Sequence, residues 1–304
     1  MTGSGLITRR PGADLRSGRA DASGTFGELL QGRLPDGTDF LVTLPITLRS
    51  RAWFRFDPAG PLRVFPAHKT KSLRLAEAML TAHQPGGGGT LILDSDLLIG
   101  KGLASSSADL VATARAVGGA LGLDTGPAEV ERWLRPIEPT DGVMHPGVVV
   151  FEHRAVRLRE ALGGLPPATV VAVDEGGRLD TVAFNKRPKR YSPADTAEFT
   201  GLLDALTAAV RAGDLAAVGR VTTRSAVLNQ RFAPKRHLDA MLAVARRTGA
   251  LGVVCAHSGT MLGLLFDDAD PDRAAKVAEA HAACEALGDD VLLFRTLTRP
   301  SHEP

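Results

Sequence analysis

The stretch from Asp94 to Gly122, DSDLLIGKGLASSSADLVATARAVGGALG, constrains this chain more than any other. Leu97-Leu98-Ile99 is a short apolar run of the kind that ends a buried strand. Gly100 and Gly102 follow with Lys101 between them, then Leu103, Ala104 and three serines, Ser105, Ser106 and Ser107. From Ala108 onward, apolar residues recur at helical spacing (Val111, Ala112, Ala114, Val117, Leu121), and Gly122 is a natural stop. The segment therefore reads as strand, glycine loop and helix. The first turn of a helix leaves backbone N–H groups free, and the dipole adds partial positive charge there. Glycines let a phosphate approach the backbone, and serine hydroxyls can hold phosphate oxygens or Mg²⁺. A phosphate-binding helix start is the expectation; the plainer alternative is a small-residue helix start packed in a core.

Two familiar phosphate loops do not fit. The pattern GxxxxGK[ST] is absent, because Lys101 precedes the second glycine and no Ser or Thr follows it. The dinucleotide pattern GxGxxG fails because Ser105 stands where the third glycine belongs. What remains is G-x-G-L-A-S-S-S-A.

At 304 residues the chain can build two modest domains. A net charge of +2 argues against a nucleic-acid or anionic-membrane partner, and 5% aromatic residues argue against a base-stacking surface. Cys255 and Cys284 form neither a disulfide framework nor a CxxC site and read as buried thiols of a reducing compartment. No apolar stretch approaches the roughly 20 residues that span a bilayer, and the polar N-terminus lacks the apolar core of a signal peptide. A cytoplasmic protein is expected, with no membrane partner.

Along the chain, residues 1–17 read as a mobile tail, and Gly18–Gly32 as a glycine-punctuated turn carrying Glu28 into a site. Phe40–Leu48, Arg51–Phe56, Leu62–Phe65 and Thr90–Leu93 read as strands, Ser72–His83 as an amphipathic helix and Pro85–Gly89 as a flexible loop. Pro127–Leu134 is a short helix with proline at its first position. Val148–Phe151 and Ala168–Val173 are strands. Lys186–Arg190 is a basic run read as a solvated loop. Helices are expected over Asp195–Ala212, Leu215–Leu228, Leu238–Thr248 and Pro271–Leu287, a strand pair over Leu251–Ala256 and Met261–Phe266, and a last strand over Val291–Phe294. Gly163-Gly164 and Pro166-Pro167 mark a boundary that divides the chain into residues 1–166 and 167–304.

Four motifs in order resemble the GHMP kinases: Gly27-Glu28-Leu29-Leu30-Gln31-Gly32, the loop IGKGLASSSAD, EPTDGVMHPG from Glu138, and AHSGTMLGLLF from Ala256. Their form is similar to the branch containing the L-threonine kinases of cobalamin synthesis and propanediol utilisation, and the resemblance runs from about Ala20 to Phe266. It implies an α+β, two-domain fold. The N-terminal part would carry a left-handed βαβ crossover and the C-terminal part would be a ferredoxin-like α/β sandwich. ATP and a small hydroxyl substrate, an amino acid in this branch, would meet between them. A monomer or homodimer is expected.

By the same resemblance, Gly100, Lys101, Gly102, Leu103, Ala104 and Ser105–Ser107 would cradle ATP. Ser106 would reach Mg²⁺ or the β- and γ-phosphates, with Ser105 or Ser107 in its place if the loop is slipped by one, and Lys101 would add a cation beside them, its plainer reading being a solvated loop lysine. Asp141 occupies the place of the catalytic base, where the plainer reading is a turn Asp before Gly142. The second Mg²⁺ ligand would be Glu131 or Glu138, with Glu129 one turn-face from Glu131. Glu28, His257, Ser258, Gly259 and Thr260 would face the substrate, Glu28 serving an ammonium group. The first motif departs from the family at Asp21 and Ser23-Gly24-Thr25, where a proline turn is usual. Other outcomes under the same resemblance are a kinase for homoserine, a sugar or a biosynthetic intermediate, and a metabolite sensor without chemistry. A third is an ATP-dependent decarboxylase, for which Arg135, Arg154 and Arg224 are unmarked candidates.

Overall fold

The structure, a computed structural model, describes residues 16–177, 189–288 and 290–298. The tail before Arg16 and the start of the basic run, residues 186–188, lie outside the described residues.

Two long strands organise the first half. Strands β1 (Ser17–Arg33) and β2 (Asp39–Asp57) form an antiparallel hairpin closed by a turn in which Leu34 donates to Thr38 O at 2.9 Å. This corrects two expectations. Gly18–Gly32 is strand and not turn. It bears register shifts between Ser23 and Thr25, Thr25 and Glu28, and Glu28 and Leu30, so bulges deliver the motif's polar group where a turn was expected. The strands expected over Phe40–Leu48 and Arg51–Phe56 are one continuous strand, because the Ser50 hydroxyl between them is fully buried and donates to Asp109 Oδ1 at 2.6 Å.

Strand β3 (Leu62–Phe65), helix α1 (Thr70–His83) and strand β4 (Gly88–Ser95) form a parallel β–α–β crossover, with β4 paired to β2. Gly88 and Gly89, expected in a loop, are already in β4. Helix α2 (Ser105–Leu121) packs its small-residue face on β1 and β2, which is why so many alanines serve it: Ala108, Ala112, Ala114 and Ala116 are all fully or almost fully buried. Helix α3 (Pro127–Leu134) starts at its proline as expected, and strand β5 (Val148–Glu152) is buried throughout. Strand β6 (Arg157–Gly163) was not anticipated. Its charged, half-exposed sequence lacks the apolar run that marks a buried strand.

In the second half, β7 (Ala168–Asp174) is followed by α4 (Pro193–Ala212), α5 (Leu215–Asn229) and α6 (Leu238–Thr248), then the hairpin of β8 (Gly252–Cys255) and β9 (Met261–Asp267). Helix α7 (Arg273–Glu285) and β10 (Asp290–Arg295) complete it. The spatial order β10-β7-β9-β8, antiparallel throughout, is that of a ferredoxin-like βαββαβ unit. Helices begin and end where local chemistry dictates. Ser192 and Asp195 form a capping box at the start of α4, and Gly213 closes it in a left-handed conformation.

The halves join edge to edge. Strand β8 pairs with β1 at Glu28 and Cys255, so one ten-stranded sheet runs through the protein. Phe26 is fully buried at this seam, with its ring centroid 5.1 Å from that of Phe294. Truncating such a side chain to alanine costs about 3–5 kcal/mol. The seam that holds the halves together is also where three of the four sequence motifs meet. Among the described residues, no helix is long and apolar enough to cross a membrane.

Candidate active site

The glycine loop sits between the two halves. It does not continue a buried strand: β4 ends at Ser95, and Leu98 and Ile99 are exposed, which corrects the reading of Leu97–Ile99 as a strand end. Gly100 and Gly102 take left-handed backbone angles, and so does Ala104 at φ 54°, the residue before α2. Among the described residues no side chain caps the first turn of α2, the arrangement in which helix-start N–H groups can meet an anion.

Both flanking motifs grip this loop through backbone. Gly27 donates to Gly102 O at 2.9 Å, Thr25 to Leu103 O at 3.3 Å, and Thr260 to Lys101 O at 3.3 Å. The approach is close enough to exclude side chains. A Cβ on Gly102 would lie 2.5 Å from the Ala256 Cβ, and one on Gly259 only 2.1 Å from Lys101 O.

Beside the loop lies a cleft of about 200 Å³. Its walls include Gly100, Gly102, Leu103, Ala104 and the three serines on one side, and Glu138, Thr140 and Asp141 on another. Glu28, His153, Ser258 and Lys71 complete it. Most of the expected site is therefore brought together, though Lys101, Glu131, His257, Gly259 and Thr260 do not line the cleft.

Asp141 is held by α2. Its backbone N–H donates to Ser107 Oγ at 3.1 Å, and that hydroxyl reaches Asp141 Oδ2 at 3.3 Å. Burial pushes the Asp141 carboxyl up to about 7, the charges of Glu28 and Glu138 push the same way, and the Ser107 hydrogen bond opposes them. A carboxyl poised near neutrality can take a proton from a hydroxyl.

Ser106, Glu138 and Lys71 form a second cluster. The Ser106 hydroxyl donates to one Glu138 oxygen and Lys71 Nζ to the other, while Lys71 Nζ also lies 3.3 Å from Ser106 Oγ. One carboxylate and one hydroxyl at the edge of the glycine loop are a donor set that fits Mg²⁺, which takes few protein ligands and completes its shell with water and phosphate oxygens. Glu131 goes elsewhere. It accepts from Leu158 N–H at 2.9 Å and contacts His145 Nε2 at 2.7 Å, which fixes α3 against β6.

Lys101, expected beside the phosphates, turns instead to the nearly buried Asp174, with Nζ 2.5 Å from Oδ2 and 2.8 Å from Gly177 O. A buried carboxylate needs a counter-charge, and the loop lysine supplies it. Thr260 serves the same carboxylate, donating to Oδ1 at 2.6 Å. His257 turns to Glu28, whose Oε2 accepts its backbone N–H at 3.0 Å and contacts its Nδ1 at 2.9 Å, and the far ring nitrogen meets Ser225 Oγ at 2.8 Å. Burial works to raise the Glu28 carboxyl, but the hydrogen bonds and charge of His257 outweigh it and hold it below the usual range.

Sequence reasoning missed Lys71, Thr140 and His153. One signal was available for the first: Lys69 and Lys71 stand at the start of α1, where positive charge opposes the helix dipole and needs a reason. Lys69 has one in Asp109 of α2, at 2.5 Å, a pair that docks α1 beside the serines.

Two family models match the chain, the GHMP kinases N terminal domain over residues 71–150 and the GHMP kinases C terminal over residues 206–285. The chain belongs to the GHMP kinases. This GHMP kinase is 24% identical to an L-threonine kinase of Citrobacter freundii over 264 residues, which covers 82% of this chain and 86% of that protein. It is 26% identical to an L-threonine kinase of Salmonella typhimurium, covering 82% of each. In fold it matches a homoserine kinase from Cytophaga hutchinsonii with a TM-score of 0.73 at 15% identity, covering 96% of this chain and 98% of that one. The protein is accordingly a phosphotransferase acting on a small hydroxyl compound, with ATP as the family's phosphate donor.

Proposed function

We propose that this GHMP kinase transfers the γ-phosphoryl group of ATP to the side-chain hydroxyl of L-threonine, giving O-phospho-L-threonine and ADP. The observation that carries the chemistry is Asp141, a buried carboxyl raised to about 7 and held in the cleft beside the serine-rich helix start. The choice of threonine is supported by similarity to two L-threonine kinases over most of both chains.

In this reading the triphosphate lies along Gly100–Ser107, its oxygens met by the N–H groups of the first turn of α2. The Ser106 hydroxyl and Glu138 carboxylate would hold Mg²⁺, which neutralises charge on the phosphates when bound. Lys71 offers a further cation to the same oxygens. Asp141 accepts the hydroxyl proton as the new O–P bond forms and the bond from the γ-phosphorus to the bridging oxygen breaks, releasing ADP. The domain division at residues 166 and 167 is supported by the family models, which fall on either side of it.

The test is ADP release from MgATP by purified protein, with L-threonine, D-threonine, L-serine, L-homoserine and several sugars as acceptors and an Asp141→Asn variant in parallel. Turnover on L-threonine that collapses in the variant is expected. Preference for another acceptor discards threonine and keeps the kinase. Tight ATP binding without turnover on any acceptor argues for a sensor.

A further inference from the structure

Two buried polar atoms beside the cleft have no hydrogen-bond partner among the described residues. Thr140 and His153 are 2% and 4% exposed, and they are tied together by a hydrogen bond from Thr140 N–H to His153 O at 3.2 Å. Yet Thr140 Oγ1 and His153 Nδ1 make no hydrogen bond among the described residues. Both side chains line the cleft that holds Asp141 and Glu28. A buried polar atom without a partner costs about 1–3 kcal/mol, so two at one wall call for an occupant that supplies both.

The surrounding charge selects that occupant. Glu28, Asp141 and Glu138 all face the same space, and Lys71, the cation in the cleft's lining, is already paired with Glu138, so the acids outnumber it. His153 adds no positive charge at neutral pH: burial drives its imidazole down to about 4. Asp39 opposes that shift, Lys189 and Arg154 reinforce it, and Glu28 opposes it last. A neutral imidazole protonated on Nε2 offers Nδ1 as an acceptor, and a threonine hydroxyl accepts as well. Acceptors set among acids suit a donor-rich cation. Thr140 and Asp141 line the same cleft, so one small molecule can meet both, its amine at the first and its hydroxyl at the second. A vicinal amino alcohol is such a molecule.

We propose that His153 and Thr140, together with Glu28, receive the primary ammonium group of the acceptor, so that the enzyme selects hydroxyl compounds with an amine on the neighbouring carbon. The inference rests on the kinase reading above and adds the residues that enforce its substrate class.

The experiment compares three acceptors: L-threonine, 1-amino-2-propanol (amine without carboxylate) and 3-hydroxybutyrate (carboxylate without amine). Each is assayed with the native enzyme and with Thr140→Val, His153→Phe and His153→Gln, whose folding is checked by thermal melting. Thr140→Val is nearly isosteric and guards against a variant that fails to fold. The native enzyme is expected to favour both amines over 3-hydroxybutyrate. Because a hydrogen bond to a charged group is worth about 1.5–3 kcal/mol, Thr140→Val and His153→Phe should each raise the amines' KM by about 10- to 100-fold. The KM for MgATP should stay unchanged, and His153→Gln, which restores an acceptor atom, should recover part of the loss. Equal losses on all three acceptors, or a native enzyme that uses 3-hydroxybutyrate as well as L-threonine, overturn the proposal.

Calorimetric titration of L-threonine and 3-hydroxybutyrate into protein loaded with a non-hydrolysable ATP analogue separates this inference from the kinase reading. Amine-selective binding that is lost in Thr140→Val, without turnover in the assays, keeps the subsite and sinks the kinase. Turnover without amine selectivity does the reverse. No binding of either compound and no turnover overturns both.

Discussion

Ser107 and Asp141 hold each other across the cleft floor: the serine hydroxyl accepts the aspartate's backbone N–H at 3.1 Å and lies 3.3 Å from its Oδ2. One hydroxyl thus meets both the backbone and the side chain of Asp141, which gives the carboxyl of a common Asp-Gly dipeptide a fixed direction. Because burial raises this carboxyl to about 7, kcat/KM measured with both substrates subsaturating should rise with pH and level off above about 7. Asp141→Asn should lower kcat by about 10²- to 10⁴-fold. The linkage has a definite sign. A folded pKa above the unfolded value of 3.8 stabilises the native state below about pH 3.8, and that contribution is lost as pH rises through about 7. The Asn variant should therefore match or exceed the native enzyme in stability at pH 8, by a few kcal/mol at most, as read from denaturant titrations.

The Lys101–Asp174 pair ties the glycine loop to the end of β7, with Thr260 as a third member. Burial would raise the Asp174 carboxyl, but hydrogen bonds from Lys101 and Thr260 outweigh it and keep it below the usual range. The stabilisation is thus present above the unfolded pKa of 3.8 and lost as pH falls through the depressed value. Lys101→Met should leave an uncompensated carboxylate and cost more stability at pH 7 than the double variant with Asp174→Asn. A thermodynamic cycle should give a coupling of about 1–3 kcal/mol.

Two glycines should respond oppositely to alanine. At Gly259 the new methyl would meet backbone atoms of Lys101 and Gly102 at 2.1–2.5 Å, so the hairpin and loop must part. We expect a loss of about 1–3 kcal/mol together with weakened ATP binding. At Gly201, inside α4, nothing lies within 4 Å of the added methyl. Helix propensity alone then favours Gly201→Ala by about 1 kcal/mol, a gain visible in the melting temperature with ATP affinity unchanged.

Much of this was legible in the sequence because local chemistry dictated it. Helix α3 begins at Pro127 and ends at Leu134 as the periodicity and proline predict, and the glycine loop announces α2 by its composition. Asp141 and Glu138 belong to one compact motif, and the cleft brings both beside the serines as the resemblance implies. What failed depends on tertiary partners. Lys101 has the look of a phosphate ligand in sequence, but its direction is set by a carboxylate 73 positions away. Glu28 was read on a turn because its glycines suggest one, whereas bulges let a strand keep pairing around them. His153 lies beyond the apolar run Val148–Phe151, after Glu152, and carries no periodic signal; its nitrogen without a hydrogen-bond partner among the described residues marks it.

The choice between Glu131 and Glu138 as partner of Mg²⁺ yields the last prediction. Glu138 faces the cleft and meets Ser106 and Lys71, while Glu131 is spent on His145 and the Leu158 N–H. Glu138→Gln should weaken the Mg²⁺ dependence of turnover, raising the Mg²⁺ concentration for half-maximal rate by about tenfold or more, since a neutral amide is a poor ligand for a hard cation. Glu131→Gln should leave that midpoint unchanged while lowering stability by about 1–3 kcal/mol, the cost of disturbing a buried hydrogen-bonded carboxylate. The two readouts cannot be exchanged by a general loss of fold. Titrating Mg²⁺ at fixed ATP, with melting curves of both variants, checks the assignment, and a shifted Mg²⁺ midpoint in Glu131→Gln alone would reverse it.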